Sequence, residues 1–415
     1  MTGSMYAAVS GLKAHMNALN VIGNNVSNVN TTGYKATRYT FNEALYTSQR
    51  SGSNGTAIAG GKNPAQIGFG ASIGTIDLDM STKNYSPTGK ALDTMIDGDG
   101  FFFVGDKEAG AGATAVELSD PSALAGMKLT RLGNFDIDPN GYLVDGNGSV
   151  VWGMLEQEYD LSTEFELGTG QNSQKVKLSD MTEEQVETLR QKGTELHNVK
   201  YEEKDVNGVK TKVVSRATFT QSSCITAIRL PMVQKTVTQD ANGNDVTAKT
   251  VQFPTYTAST PATENPPAPM VPAKMTDYDT PPAGSTIERL QADSVTIDEK
   301  SGALRVMTSE GELYTVGYLT VGKVTNPNGV THVDGRYYQA LDGAGTLRVC
   351  SIKGAIEGID SAGETKLITG GLESSGTDLA TEITNMITVQ RGYQANTRIV
   401  TVTDSMLEEL INMKR

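Results

Sequence analysis

Heptad-like apolar spacing at both ends of the chain, with little helical signal between, most constrains its fold. Near the start, apolar residues fall at Met5, Val9, Leu12, Met16, Leu19 and Val26, in steps of four and three followed by one of seven. That repeat places a stripe on one helix face, as in helices that pack on other helices. The other end repeats it with Leu379, Ile383 and Met386, then Ile399, Val402, Met406, Leu410 and Met413, with a change of phase between Arg391 and Asn396. Terminal helices of this kind join each other or further copies of the chain.

At about 1.5 Å per residue the two helices would be about 40 and 55 Å long. A two-helix layer leaves its outer apolar faces uncovered, and such helices without a core are marginal alone. Packing of both stripes against neighbouring subunits is therefore the expectation, with an intramolecular hairpin as the alternative. The first helix is expected over about Thr2 to Val29, weakened near its end by Gly23 and by Asn20, Asn24, Asn25, Asn28 and Asn30, with Asn30-Thr31-Thr32-Gly33 as its stop. The asparagine cluster reads either as a helix end capped by amides or as an interface whose amides fix register between packed copies.

Between the helices the period changes. Residues 34–90 are polar and Gly-rich, with room only for short strands such as Ala71 to Met80. From Leu92 to Gly153, apolar runs such as Phe101-Phe102-Phe103-Val104 alternate with Asn-Gly and Asp-Gly turns, including Asn140-Gly141 and Asp145-Gly146-Asn147-Gly148, the pattern of a compact all-β domain. Strand-like runs return from Ser294 to Cys350. From about Leu155 the texture differs: Asp180-Met181-Thr182-Glu183 offers a capping box for a short helix, β-like runs cover Lys210 to Phe219 and Cys224 to Val237, and 254–282 holds eight of the 14 prolines. The predicted architecture is nested and mainly β with terminal α-helices. Residues 1–33 and 372–415 form a helical polymerisation layer, 34–90 and 351–371 an extended connection, 91–154 and 286–350 an inner β-domain, and 155–285 an inserted outer β-domain.

Composition narrows the function classes. With 35 Lys plus Arg against 48 Asp plus Glu, the net charge is -13, which argues against nucleic acid as a partner. No run approaches 18 apolar residues, so no membrane insertion is expected, and a cleavable signal peptide is not expected at the start. Cys224 and Cys350 show neither a disulfide framework nor metal spacing. His15, His197 and His332 lie in no nucleophile or metal motif. Gly68-Phe69-Gly70-Ala71-Ser72-Ile73-Gly74 lacks the Gly-Lys-Ser/Thr ending of a phosphate loop. Asp136, Asp138, Asn140 and Gly141 match half a calcium loop, but Asn147 stands where the bidentate Glu belongs, and Asx turns explain the same residues. No enzyme activity, cofactor or metal is expected.

Four motifs in order carry a family resemblance. Residues 19–35, Leu-Asn-Val-Ile-Gly-Asn-Asn-Val-Ser-Asn-Val-Asn-Thr-Thr-Gly-Tyr-Lys, resemble the N-terminal signature of bacterial flagellar rod and hook proteins, with Asn24, Asn25, Asn28, Asn30, Thr31 and Gly33 as its core. Asp97-Gly98-Asp99-Gly100-Phe101-Phe102 and Thr130-Arg131-Leu132-Gly133-Asn134-Phe135 resemble the family's central β-motif. Gln390-Arg391-Gly392-Tyr393-Gln394-Ala395-Asn396, with Asp378 before it and Met406-Leu407 after, resembles its closing helix. The large insertion and Gly371-Leu372-Glu373-Ser374-Ser375-Gly376 resemble the hook branch. The resemblance implies a helical homopolymer, a curved tube that acts as a universal joint. It implies export through the flagellar type III apparatus without signal cleavage, an extracellular place on the flagellum, and rod, hook-cap and hook–filament junction proteins as partners. It also raises an inter-subunit crosslink at Cys224, as some members carry. A distal rod protein with an insertion, and an exported adhesin or enzyme module borne on flagellar ends, are the alternatives.

Overall fold

The computed structural model describes residues 2–413 apart from 53, 55–59, 108–114, 119–120, 160, 168–173, 193, 195, 207–208, 221, 223, 240–244, 253–256, 259–271, 274–284, 290–293, 309–310 and 357. The fold is mainly β, with a long helix at each end. It divides into two compact units, Met1–Lys83 with Ser374–Arg415, and Asn84–Glu373. The Pro-rich stretch 254–282 falls largely outside the described residues.

In the first unit, helix α1 runs Thr2–Ser27, two residues short of the expected end. Asn28 accounts for the stop: its side-chain amide turns back to donate to the Asn24 carbonyl at 2.9 Å, and Gly33 takes a positive φ of 71°. The chain then forms a two-stranded ribbon. Strand β1 (Thr37–Glu43) leads to β2 (Tyr46–Arg50), and β3 (Ala65–Gly68) returns to β4 (Ala71–Leu78). β1 pairs antiparallel with β4, and β2 with β3. The expected strand from Ala71 is therefore one arm of a longer hairpin. Its Gly70 lies so close to α1 that a Cβ there would meet Ser10 Oγ and the Ala7 carbonyl, and its φ is +111°. Ser10 Oγ donates to the Phe69 carbonyl at 3.1 Å. Lys35 is fully buried and donates from Nζ to the Ser81 carbonyl at 2.9 Å.

The second unit holds the main core. Leu92, Ile96, Phe102, Val104, Phe135, Leu143, Val151 and Leu155 pack with Ile228, Leu230, Val295, Leu304, Val316, Val321, Cys350, Ile352 and Leu367. The strand Phe101–Gly105 pairs with Lys128–Thr130, Val150–Glu158 and Val321–Val324. Its Phe-Phe-Phe-Val run is buried on both faces, so apolar residues follow one another without alternation. A smaller core gathers Leu178, Met181, Val186, Leu189, Leu196, Val214 and Ala217. There the nine-residue helix Glu183–Gln191 packs beside the hairpin His197–Val206/Val209–Thr220. Its cap is Thr182, whose backbone N–H donates to Gln185 Oε1 at 3.0 Å, two residues beyond the expected Asp180–Glu183 box, because the helix begins only at Glu183.

One buried arginine joins the two central motifs. Arg131 donates from Nη1 to the carbonyls of Gly98 at 2.8 Å and Gly100 at 2.7 Å, and from Nη2 to the Ile96 carbonyl at 3.4 Å. The same Nη2 lies 3.6 Å from Glu373 Oε2, with both side chains shielded from solvent. Burial pulls the Arg131 guanidinium below its usual range while Glu373 opposes that shift, and an arginine stays charged regardless. Gly98 and Gly100 have φ of +119° and +137°, a conformation that turns both carbonyls toward one side chain and that other residues resist. Gly133 is required for another reason: a Cβ there would sit 1.9 Å from the Thr94 carbonyl oxygen.

Candidate assembly surface

The two terminal helices meet within the first unit, along a stripe other than the bulky one. Helix α4 is here the 35-residue closing helix Leu379–Met413, with α2 (Pro121–Ala125) and α3 (Glu183–Gln191) before it. Asn25 contacts Glu382, His15 contacts Gly392 and Gly11 contacts Asn396. Successive pairs advance in opposite directions, so the helices are antiparallel in a single register. On α1 the buried positions are Ala8, Gly11, Ala14, Ala18, Ile22 and Asn25, with His15 half-buried, mostly small or polar residues apart from Ile22. On α4 the inward positions are Glu382, Met386, Val389, Gly392, Asn396, Val400, Thr403 and Leu407, with Tyr393 exposed beside them. The inward positions change phase at Gly392, where two steps of three follow each other, and Gly392 and Asn396 occupy contact positions that an apolar reading passes over.

The core of the seam is small. Ala18, Ile22 and Val389 are buried, with Leu19, Val26, Tyr39 and Met386 against them. Ile22 and Val389 are its large buried side chains, each worth about 1.5–3 kcal/mol. Small residues allow close approach of the backbones, and polar ones make up the rest of the contact. Asn25 is 1% exposed and uses its whole amide. Nδ2 donates to the Thr37 carbonyl at 2.8 Å and to Glu382 Oε1 at 2.9 Å. Oδ1 accepts from Thr37 N, Thr37 Oγ1 and Tyr34 OH at 3.0, 3.1 and 3.0 Å. Partial burial, with the Glu382 charge nearby, raises the Tyr34 phenol above its usual range, and the bond to Thr37 opposes this. Asn24 donates to Tyr34 OH at 3.1 Å, and Asn28 Oδ1 accepts from Thr31 Oγ1 at 3.1 Å. Ser375 Oγ donates to the Asn28 carbonyl at 2.8 Å. Asn30 is exposed. The signature residues thus shape the turn after α1 and tie it to the start of α4 within one chain, a correction to the reading of Asn25 as an amide shared between copies.

On α1 the bulky residues lie one position, about 100°, after the inward ones, whereas on α4 Ile383 follows its inward neighbour and Ile399, Val402 and Met406 precede theirs. On α1, Met5 and Met16 are exposed, while Val9, Leu12, Leu19 and Val26 are half-buried. On α4, Leu379, Ile383, Ile399, Val402, Met406, Leu410 and Met413 are exposed, and Met386 alone of the expected set turns half inward. Val402 and Met406 are 54% and 52% exposed, values typical of surface residues, although their chemistry belongs in a core. Ile387 and Ile411, which the heptad reading omitted, join this surface. The ribbon adds Phe41, Leu45, Tyr46, Ile67 and Ile76. Large apolar side chains exposed in such number make this unit a candidate interaction surface.

The other sequence candidates have structural roles. Asp138 Oδ1 accepts from Asn140 N at 2.9 Å and Tyr142 N at 2.7 Å, and Gly141 has φ +82°, so the half calcium loop is an Asx turn. Asp145 builds the next turn the same way through Asn147 N and Ser149 N. His15 stacks edge-on against Phe41 at 5.3 Å between ring centroids. His197 Nδ1 lies 2.8 Å from Glu156 Oε1, which also accepts from Thr220 Oγ1. His332 packs on Tyr338 at 4.2 Å, and burial holds its imidazole below the usual range. Cys224 is buried in the strand Cys224–Ala227, paired with Glu117, and Cys350 is buried in the main core; neither forms a disulfide. No helix among the described residues is long and apolar enough to cross a membrane.

The terminal helices are keyed to each other by polar contacts, and the bulky apolar residues of α4 are turned outward. The comparisons with known proteins agree on the family. Residues 5–35 match the model described as flagella basal body rod protein, and residues 368–413 match the flagellar basal body rod FlgEFG protein C-terminal model. The chain is 26% identical over 415 residues to the flagellar basal-body rod protein FlgG of Bacillus subtilis, and 24% identical over 470 residues to the flagellar hook protein FlgE of Borreliella burgdorferi, in both cases covering 100% of each chain. It is 33% identical over 159 residues to the FlgE hook protein of Treponema pallidum, covering 38% of this chain and 31% of that one. The crystal structure of Helicobacter pylori hook protein FlgE2 aligns with a TM-score of 0.28 and 12% identity, over 69% of this chain and 100% of that one. The chain belongs to the flagellar rod and hook family and is a structural axial subunit of the bacterial flagellum.

Proposed function

We propose that this chain polymerises into the flagellar hook, a curved tube acting as universal joint between rod and filament, and that it has no catalytic activity. The observation that carries the reading is the outward apolar stripe of α4, Ile399, Val402, Met406, Leu410 and Met413, which repeats at heptad spacing and stays exposed among the described residues of its own chain. Burying such a stripe against neighbouring copies supplies the energy that the small seam between α1 and α4 does not. Polymerisation would then run through this stripe together with Met5, Val9, Leu12, Met16, Leu19 and Val26 of α1. Export by the flagellar type III apparatus without signal cleavage, an extracellular position, and contacts with rod, hook-cap and junction proteins follow from the same reading. The full-length similarities to hook proteins and the long segment between the terminal motifs support hook over rod. The full-length similarity to the Bacillus subtilis rod protein favours the second reading, a distal rod subunit.

Electron microscopy of basal bodies from cells that lack the gene, and from cells complemented with it, tests the choice. The hook reading expects basal bodies without hooks in the deletion and curved tubes on complementation. Straight rods missing their distal segment would replace it with the rod reading. A link between subunits at Cys224 would require its buried strand to open. Mass spectrometry of assembled tubes finding only free Cys224 would remove it.

A further inference from the structure

The two positions where the chain passes between its units, Lys83–Asn84 and Glu373–Ser374, adjoin a very short ribbon. Tyr85–Pro87 pairs with Gly371–Glu373 over three residues, with Glu373 opposite Tyr85 at the outer end. Any load carried along the chain must enter the 84–373 unit through this ribbon. Both chain connections leave from the same end, so pulling them apart would open the pairs one after another, beginning with Glu373 and Tyr85.

At that outermost pair sits the buried Glu373 carboxylate, 3.6 Å from Arg131. Arg131 is fixed independently by the carbonyls of Gly98, Gly100 and Ile96. Thr365 Oγ1 also holds this loop, donating to the Asp99 carbonyl at 3.0 Å. The next pairs inward, Thr94–Asp97 with Lys366–Thr369, belong to the core through Ile96 and Leu367. The ribbon itself is tightly pressed, since a Cβ on Gly371 would lie 2.5 Å from the Ser86 carbonyl oxygen, but three pairs alone form a weak fastening.

We infer that Arg131 and Glu373 form a clamp that locks the ribbon Tyr85–Pro87/Gly371–Glu373 to the core and so bears load entering the 84–373 unit along the chain. The load itself rests on the axial-subunit reading; the lock does not. A charge pair buried where the chain enters the core opposes opening, because each partner would be left without its counter-charge as the strand peels. The two central motifs and the segment before α4 are then parts of one device: two glycine carbonyls hold the arginine, and the arginine holds the exit strand.

The test is hydrogen exchange by mass spectrometry on the unassembled full-length chain carrying Glu373→Gln. The expected result is exchange at residues 85–87 and 371–373 at least tenfold faster, with 101–105 and 150–158 unchanged. Unchanged exchange at the ribbon, or equal acceleration throughout 84–373, would overturn the clamp and leave Arg131 a support of the 96–100 loop alone. Arg131→Met should speed both the ribbon and residues 96–100, and where that variant does not fold, Glu373→Gln decides. This readout needs no polymer, so failure of the clamp and failure of the hook reading remain separate results.

Discussion

Gly392 of α4 faces the His15 imidazole of α1 so closely that a Cβ added to the glycine would lie 2.7 Å from ring atom Cε1. Glycine in a helix interior ordinarily costs about 1 kcal/mol relative to alanine, so its presence in the middle of α4 signals a steric requirement. Gly392→Ala is expected to destabilise the first unit by about 1–3 kcal/mol despite the better helix propensity. A His15→Ala background should reverse the sign. The cycle of single and double variants, read by chemical denaturation, checks both.

Asn25→Ala removes five hydrogen bonds at one buried point and strands Thr37 N, among others. A loss of about 2–4 kcal/mol is expected, larger than for Asn30→Ala at its exposed position. Thermal melts of both variants decide; equal effects would refute the central role of Asn25.

Val402→Glu and Met406→Glu place charges on side chains that are half exposed. Neither should change the monomer's stability by more than about 0.5 kcal/mol, the usual range for surface changes. Both should abolish assembly, because each would bury an unpaired carboxylate in the tube. Sedimentation of polymer against circular dichroism of monomer separates the two effects.

Asp79 titrates in acid. Partial burial alone would raise its carboxyl, but bonds from Lys83 Nζ, Ser81 Oγ and Ser81 N hold it down, from 3.8 to about 2. Its folded pKa lies below the unfolded one, so its contribution is complete above about pH 4 and is lost as pH falls to about 2. Asp79→Asn should flatten that part of the stability curve and leave the region above pH 5 parallel to wild type, measured by melting temperature against pH.

Much of this fold is legible in the amino-acid sequence. The helices at both ends, the buried Phe101–Val104 strand and the Asx turns at Asp138 and Asp145 follow from periodicity and turn chemistry, because each is decided by residues close in sequence. The seam between α1 and α4 is harder to read. Apolar periodicity weights Met5 and Leu12 above Gly11 and Ala18, yet close backbone approach selects the small residues, and Met5 stays exposed with Leu12 half-buried. Arg131 was visible only as part of a motif: its partners lie about 30 residues back and about 240 residues ahead, and no local rule links them. The hairpin partner of Ala71–Leu78 was hidden for the same reason, since β1 pairs across the whole intervening loop.

The single register of α1 on α4 has a mechanical consequence. Asn25 meets Glu382, His15 meets Gly392 and Gly11 meets Asn396, three unlike pegs in three unlike holes. Shifting one helix by a heptad would set Asn25 against Val389 and Asn396 against Ala18, burying two amides without their partners. The joint therefore has no neighbouring resting position along its axis, and a lengthwise push on one helix is passed to the other without creep.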